Sequence, residues 1–103
     1  MFRLRISRSA DADLLGIFET GLEQFGEAVA LGYRDGLAGA FGRLLRYPMS
    51  GRARPDIDAI VRSVPFRSHV IFYDVDGQDV IIQRVLHGAM DAKAQVKAEA
   101  ADE

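Results

Sequence analysis

Residues 60–91 read IVRSVPFRSHVIFYDVDGQDVIIQRVLHGAMD, and this stretch decides the fold. It predicts three antiparallel strands joined by tight turns. Asp76-Gly77 sits between two β-branched and aromatic runs, and Asp-Gly is a strong two-residue hairpin signal because it tolerates the positive φ of a type I′ turn. The run at 69–73 precedes the turn, and Val80, Ile81, Ile82, Val85 and Leu86 follow it. Pro65 removes a backbone donor, so the first strand is expected at 60–64 with the chain turning at the proline. Arg62, Arg67, Arg84 and both histidines fall within the stretch.

Working outward, Phe2, Leu4 and Ile6 alternate with Arg3 and Arg5, the period-two pattern of a half-buried strand. Ser9 is a candidate N-cap. Asp11 and Asp13 suit the positive end of a helix dipole, and Leu14, Ile17, Phe18, Leu22 and Phe25 recur on one helical face. Gly26 breaks that helix. A second helical stripe, Val29, Tyr33, Leu37, Phe41, Leu44 and Leu45, runs to about Tyr47, where Pro48 stops it. Residues 48–58 read as a loop from their prolines and glycine. The segment 92–103 is rich in alanine and has little to bury, which predicts a short or frayed helix.

The order β-α-α-β-β-β predicts one α+β domain over 1–103. The expected architecture is a two-layer sandwich with a helical hairpin on one face of a mostly antiparallel four-stranded sheet. Strict alternation would put bulky apolar groups on both faces, Val70 and Phe72 on one and Ile71 and Tyr73 on the other. One hairpin covers one face, so the second is expected to be partly exposed and to bind a protein.

Whole-chain numbers limit the function classes. The 103 residues hold no cysteine, which excludes a disulfide framework, a thiolate metal site and a cysteine nucleophile. A formal charge of −2 argues against a protein that wraps nucleic acid. The alternating N-terminus has no apolar core of a signal peptide, and no apolar run is long enough to span a bilayer, so a cytoplasmic location without membrane attachment is expected. His69 and His87 lie on different strands without a completing carboxylate, so neither a metal nor another cofactor is expected. The ordinary roles of the remaining candidates are structural: Arg62 and Arg84 pairing with Asp74, Asp76 or Asp79, and Tyr33 and Tyr73 packing at the core or its rim.

The ordered set of short pieces resembles the RelE/ParE superfamily of bacterial toxins, and the ParE branch more closely. The residues that carry the resemblance are Ser7, Ala12-Asp13-Leu14, Ile17, Phe25-Gly26, Ala30, Tyr33, Leu37, Leu44, Pro48 and Gly51. Val61-Arg62, the segment 68–73, the segment 84–87 and Met90-Asp91 complete the set. The resemblance implies a toxin of a type II toxin–antitoxin system that inhibits DNA gyrase. It further implies neutralisation by a ParD-type antitoxin, with no catalysis and no direct specific binding of nucleic acid by the toxin itself. An antitoxin segment would lay apolar anchors over the second sheet face and the helix groove, with Arg62, Phe66, Arg67, Tyr73 and Arg84 as contacts. Target inhibition would involve His87, Met90 and Asp91. The RelE branch, a ribosome-dependent mRNA endoribonuclease, is the alternative, with Arg62, Arg84 and His87 as catalytic candidates. Against it, the only lysines are Lys93 and Lys97 in the tail, and no tyrosine follows Tyr73. A toxin-fold module that only binds is the third reading.

Overall fold

A computed structural model describes residues 1–88 and 92–96. Its elements are β1 (Arg3–Ile6), α1 (Arg8–Phe25), α2 (Glu27–Arg46), β2 (Arg52–Ala53), β3 (Arg62–Phe66), β4 (His69–Asp76) and β5 (Asp79–His87). The expected α+β order holds, with one addition. The sheet has five strands in the order β1-β5-β4-β3-β2, because the loop after α2 contributes the two-residue edge strand β2. β1 runs parallel to β5 and every other pairing is antiparallel.

Local chemistry places the elements. Ser7, not Ser9, caps α1: its hydroxyl accepts from the Ala10 amide at 3.0 Å and donates to the Gln83 carbonyl at 2.8 Å, tying the helix start to β5. Gly26, at φ 88°, separates α1 from α2 in a conformation that L side chains resist, and the two helices fold back on each other as expected. Pro65 does not turn the chain. It sits inside β3 opposite Val70, and the turn falls at Arg67-Ser68, where Arg67 takes φ 53°. The β4–β5 hairpin turns at Gly77-Gln78, one residue later than the Asp-Gly reading, with Asp76 paired to Asp79.

Strict alternation of faces does not hold along β5. Phe72 pairs with Arg84 and Tyr73 with Ile82, so Gln83 is an extra residue in the ladder, a β-bulge. The bulge resets the faces: Val80 and Ile82 enter the helix-side core, and Val85 rather than Arg84 follows them. That core also holds Ala10, Leu37, Ala40, Phe41, Leu44, Ile71 and Tyr73.

The second sheet face is not open. Ile57 and Val61 from the 54–61 loop and Val96 from a helical turn at 92–96 close over Phe72 and Leu86, forming a smaller second core. The expectation of an exposed second face failed because a loop without periodicity and an alanine-rich tail each supply one or two well-placed apolar side chains. Such isolated residues leave no periodic signal.

Candidate functional site

What the hairpin leaves open is on its own side of the sheet. A groove of about 1180 Å³ runs along α1 and α2, bordered by the edge strand β1. Leu4, Ile6, Leu15, Phe25 and Val29 line it and are exposed, as five of the largest apolar side chains on the surface. Leu14, Ile17, Leu37 and Phe41 form its deeper parts and belong to or pack against the main core. Exposed apolar side chains gathered in one concavity mark a binding surface. The signal in the sequence was Leu15, a large apolar residue off the α1 stripe, and Val29, which begins the α2 stripe before any partner element is available.

The groove ends at a polar cluster. Tyr33 places its hydroxyl 2.6 Å from His69 Nδ1 and 3.3 Å from the Phe66 carbonyl oxygen. The His69 ring meets the His87 ring edge-on at 5.7 Å, as expected for directly opposed positions of β4 and β5. Burial, reinforced by the charge of His87, pushes the His69 pKa down. Phe66 packs edge-on against Tyr33 at 5.2 Å, and Arg67 lies over both rings at 5.4–5.6 Å.

The arginines proposed from sequence are used differently from one another. Arg84 does not pair with Asp74, Asp76 or Asp79. It forms a two-pronged ion pair with Asp13, Nε and one terminal nitrogen each at 2.8 Å from the carboxylate, and reaches Gln95 at 3.2 Å. Asp13 also accepts the Val85 amide at 3.0 Å. Asp13 thus leaves the helix-dipole role and seals the part of β5 that extends beyond β1, while Asp11 stays in the first turn of α1. Arg62 donates to the carbonyls of Gly51 and Met49 at 2.8 and 3.3 Å, and Asp79 is taken by Arg3 and Arg5. Tyr73 is fully buried, with its hydroxyl between the Pro48 carbonyl and the Gly51 amide, so as a direct antitoxin contact it is corrected to a scaffold residue. Phe66 and Arg67 remain accessible at the groove's polar end. Arg62 is held by the Gly51 and Met49 carbonyls, Arg84 is held by Asp13, and His87 lies edge-on to His69. Met90 and Asp91 lie outside the described residues. No group of three or more histidine, cysteine, aspartate or glutamate side chains positioned to hold a metal occurs among the described residues.

One buried polar pair lies beneath the second core. Gln83, the bulge residue, donates its amide to Asp74, and its Oε1 has no partner among the described residues. Burial pushes the Asp74 pKa up from its usual 3.8. A raised native pKa means that the folded state holds this proton more tightly than the unfolded chain. The associated stability is complete below about pH 3.8 and declines as the pH rises through the native value. Asp74→Asn removes that charge, and the introduced amide can donate to the orphaned Gln83 Oε1. We expect this variant to be about 1 kcal/mol more stable at pH 7 and to lose the advantage as the pH falls through the raised native value toward 3.8, measured by urea denaturation across pH.

Comparison with known proteins fits this architecture. Residues 4–92 match the family model for the ParE toxin of the type II toxin–antitoxin system parDE. The chain belongs to the ParE toxin family. Toxin ParE3 of Caulobacter vibrioides is 31% identical over 96 residues, covering 93% of this chain and 96% of that one. Toxin ParE1 of the same organism is 35% identical over 92 residues, covering 89% and 95%. A solved structure titled "Chromosomal ParDE TA system from P. aeruginosa" superposes with a TM-score of 0.74 at 24% identity, covering 84% of this chain and 96% of its own, and shares the fold. In this ParE-family chain no helix among the described residues is long and apolar enough to cross a membrane.

Proposed function

We propose that the chain is the toxin of a type II toxin–antitoxin pair, that it inhibits DNA gyrase, and that a ParD-type antitoxin neutralises it by filling the α1–α2 groove. The observation that carries the antitoxin part is the groove itself: five large apolar side chains exposed along one concavity beside an edge strand. An amphipathic segment that orders on binding, with anchors three and four residues apart, matches that shape and chemistry. Family membership supports the toxin role, and the gyrase target follows the ParE branch of the resemblance. Arg62 and Arg84 are already engaged, with the Gly51 carbonyl and with the Asp13 carboxylate, which weighs against the nuclease alternative.

The deciding experiment adds the purified chain to a gyrase supercoiling reaction and, in parallel, to a ribosome-dependent mRNA cleavage reaction. Inhibited supercoiling with intact mRNA is the expected result; cleaved mRNA with normal supercoiling would transfer the function to the nuclease branch. For the groove, Leu15→Lys is expected to weaken binding of the cognate antitoxin about 10- to 100-fold by calorimetry, the loss of one buried leucine anchor. Leu15 is exposed in the free chain, so the thermal midpoint should barely move. Unchanged affinity would place the antitoxin elsewhere.

A further inference from the structure

A second unpartnered surface lies where α2 ends and the sheet's β2 edge begins. Arg43 and Arg46 occupy the last turn of α2, and the Tyr47 amide donates to the Arg43 carbonyl at 2.8 Å. The following turn is pulled onto the sheet by Tyr73, which binds Pro48 and Gly51, and by Arg62, which binds Met49 and Gly51. β2 then sets Arg52 opposite Ser63, and the Arg54 amide donates to the Val61 carbonyl, which brings the 60–62 segment alongside. The result is one face with Arg43, Arg46 and Arg52 exposed around three large apolar side chains. Tyr47 is 65% exposed, Met49 63% and Ile60 63%, so this chain folds without using them.

Two features say what would cover it. Arg43, Arg46 and Arg52 make no ion pair with a carboxylate among the described residues, and neither do Arg8, Arg62 and Arg67, but only these three gather beside exposed large apolar side chains at this end of the sheet. Asp56, already bonded by Arg54, and Asp58 lie nearby, so the three arginines leave an excess of positive charge here that attracts an acidic surface. The residue types are also those of protein interface centres, where tyrosine, methionine and arginine are enriched and lysine is depleted. None of Arg43, Arg46, Tyr47, Met49, Arg52 or Ile60 lines the groove, so groove and face can be occupied independently.

We propose that this arginine, tyrosine and methionine face docks an acidic surface of the folded protein that the toxin inhibits. The inference rests on the toxin reading, and it assigns the target contact to a surface separate from the antitoxin groove.

The test uses Arg46→Glu/Arg52→Glu in the full chain, with Tyr47→Ala as an uncharged second variant. Both are compared with the wild type for supercoiling inhibition, growth arrest, antitoxin affinity and binding to linear duplex DNA. The altered residues are exposed, so melting midpoints near the wild type are expected. At least about tenfold weaker inhibition by both variants, with antitoxin affinity unchanged, is the expected result. Undiminished inhibition by both variants overturns the face. If the wild type leaves supercoiling intact, the gyrase reading falls. The face is then judged by growth arrest: arrest lost in the variants supports it with another target, and arrest retained overturns it. Antitoxin affinity lost with the charge reversal would make the face part of the antitoxin contact and overturn the inference. So would wild-type binding to duplex DNA that the reversal abolishes, which would make the partner a nucleic acid.

Discussion

Asp13→Ala is expected to lower folding stability by about 3–5 kcal/mol, the characteristic cost of removing one partner from a largely buried ion pair. Both side chains are only 14% exposed. The loss has two parts: Arg84 forfeits the carboxylate that holds its guanidinium, and the Val85 amide at the open edge of β5 loses its acceptor. Asp13→Asn keeps one oxygen in place and should cost less, which separates charge from geometry. Urea denaturation with an unchanged slope would read the difference directly. A midpoint for Asp13→Ala within experimental error of the wild type would show that water and Gln95 suffice for Arg84.

Tyr73→Ala should fall in the same range, about 3–5 kcal/mol, since it empties an aromatic position of the main core. The hydroxyl can be isolated. Tyr73→Phe preserves the packing but strands the Gly51 amide and the Pro48 carbonyl, each 2.8 Å from the oxygen it loses, at a cost of about 1–3 kcal/mol. Gly51→Ala tests the same lock from the other side, because a Cβ there would sit 2.6 Å from Tyr73 Cε1 with no flexible group to yield. Overpacking of that kind costs about 1–3 kcal/mol. Tyr73→Phe within about 0.5 kcal/mol of the wild type would mean that the 48–51 turn is held by other contacts, Arg62 first among them.

The sequence carried the helices and main strands plainly, because their apolar spacing repeats over several turns or pleats. It carried single-residue decisions poorly. β2 is two residues long and has no period to read. Pro65 was taken as a break, yet it lies within β3. Opposite Phe72 and Tyr73 the apolar pattern of β5 carries no mark of a break, but the bulge at Gln83 resets it and turns Arg84 toward Asp13. The site suffered in the same way. The helix groove was foreseeable from two amphipathic stripes with one covering surface between them. The sealing of the second sheet face was not, since it depends on where Ile57, Val61 and Val96 arrive in space. The resemblance implies Tyr73 as a contact, and only its burial shows that its hydroxyl is already consumed.

The parallel pairing of β1 with β5 has a consequence for the order of events during synthesis. Leu4 and Ile6, on one wall of the groove, pair with Val80 and Ile82, and Val85, Leu86 and His87 line it further along. The helices line most of the groove, and its strand walls come from β1 and β5, which lie far apart in the sequence. A ribosome that has released α1 and α2 has exposed their apolar stripes without the sheet that organises them, and the long closure to β1 awaits β5. A partner that needs the strand walls as well as the helices meets a complete groove only after β5 has been made.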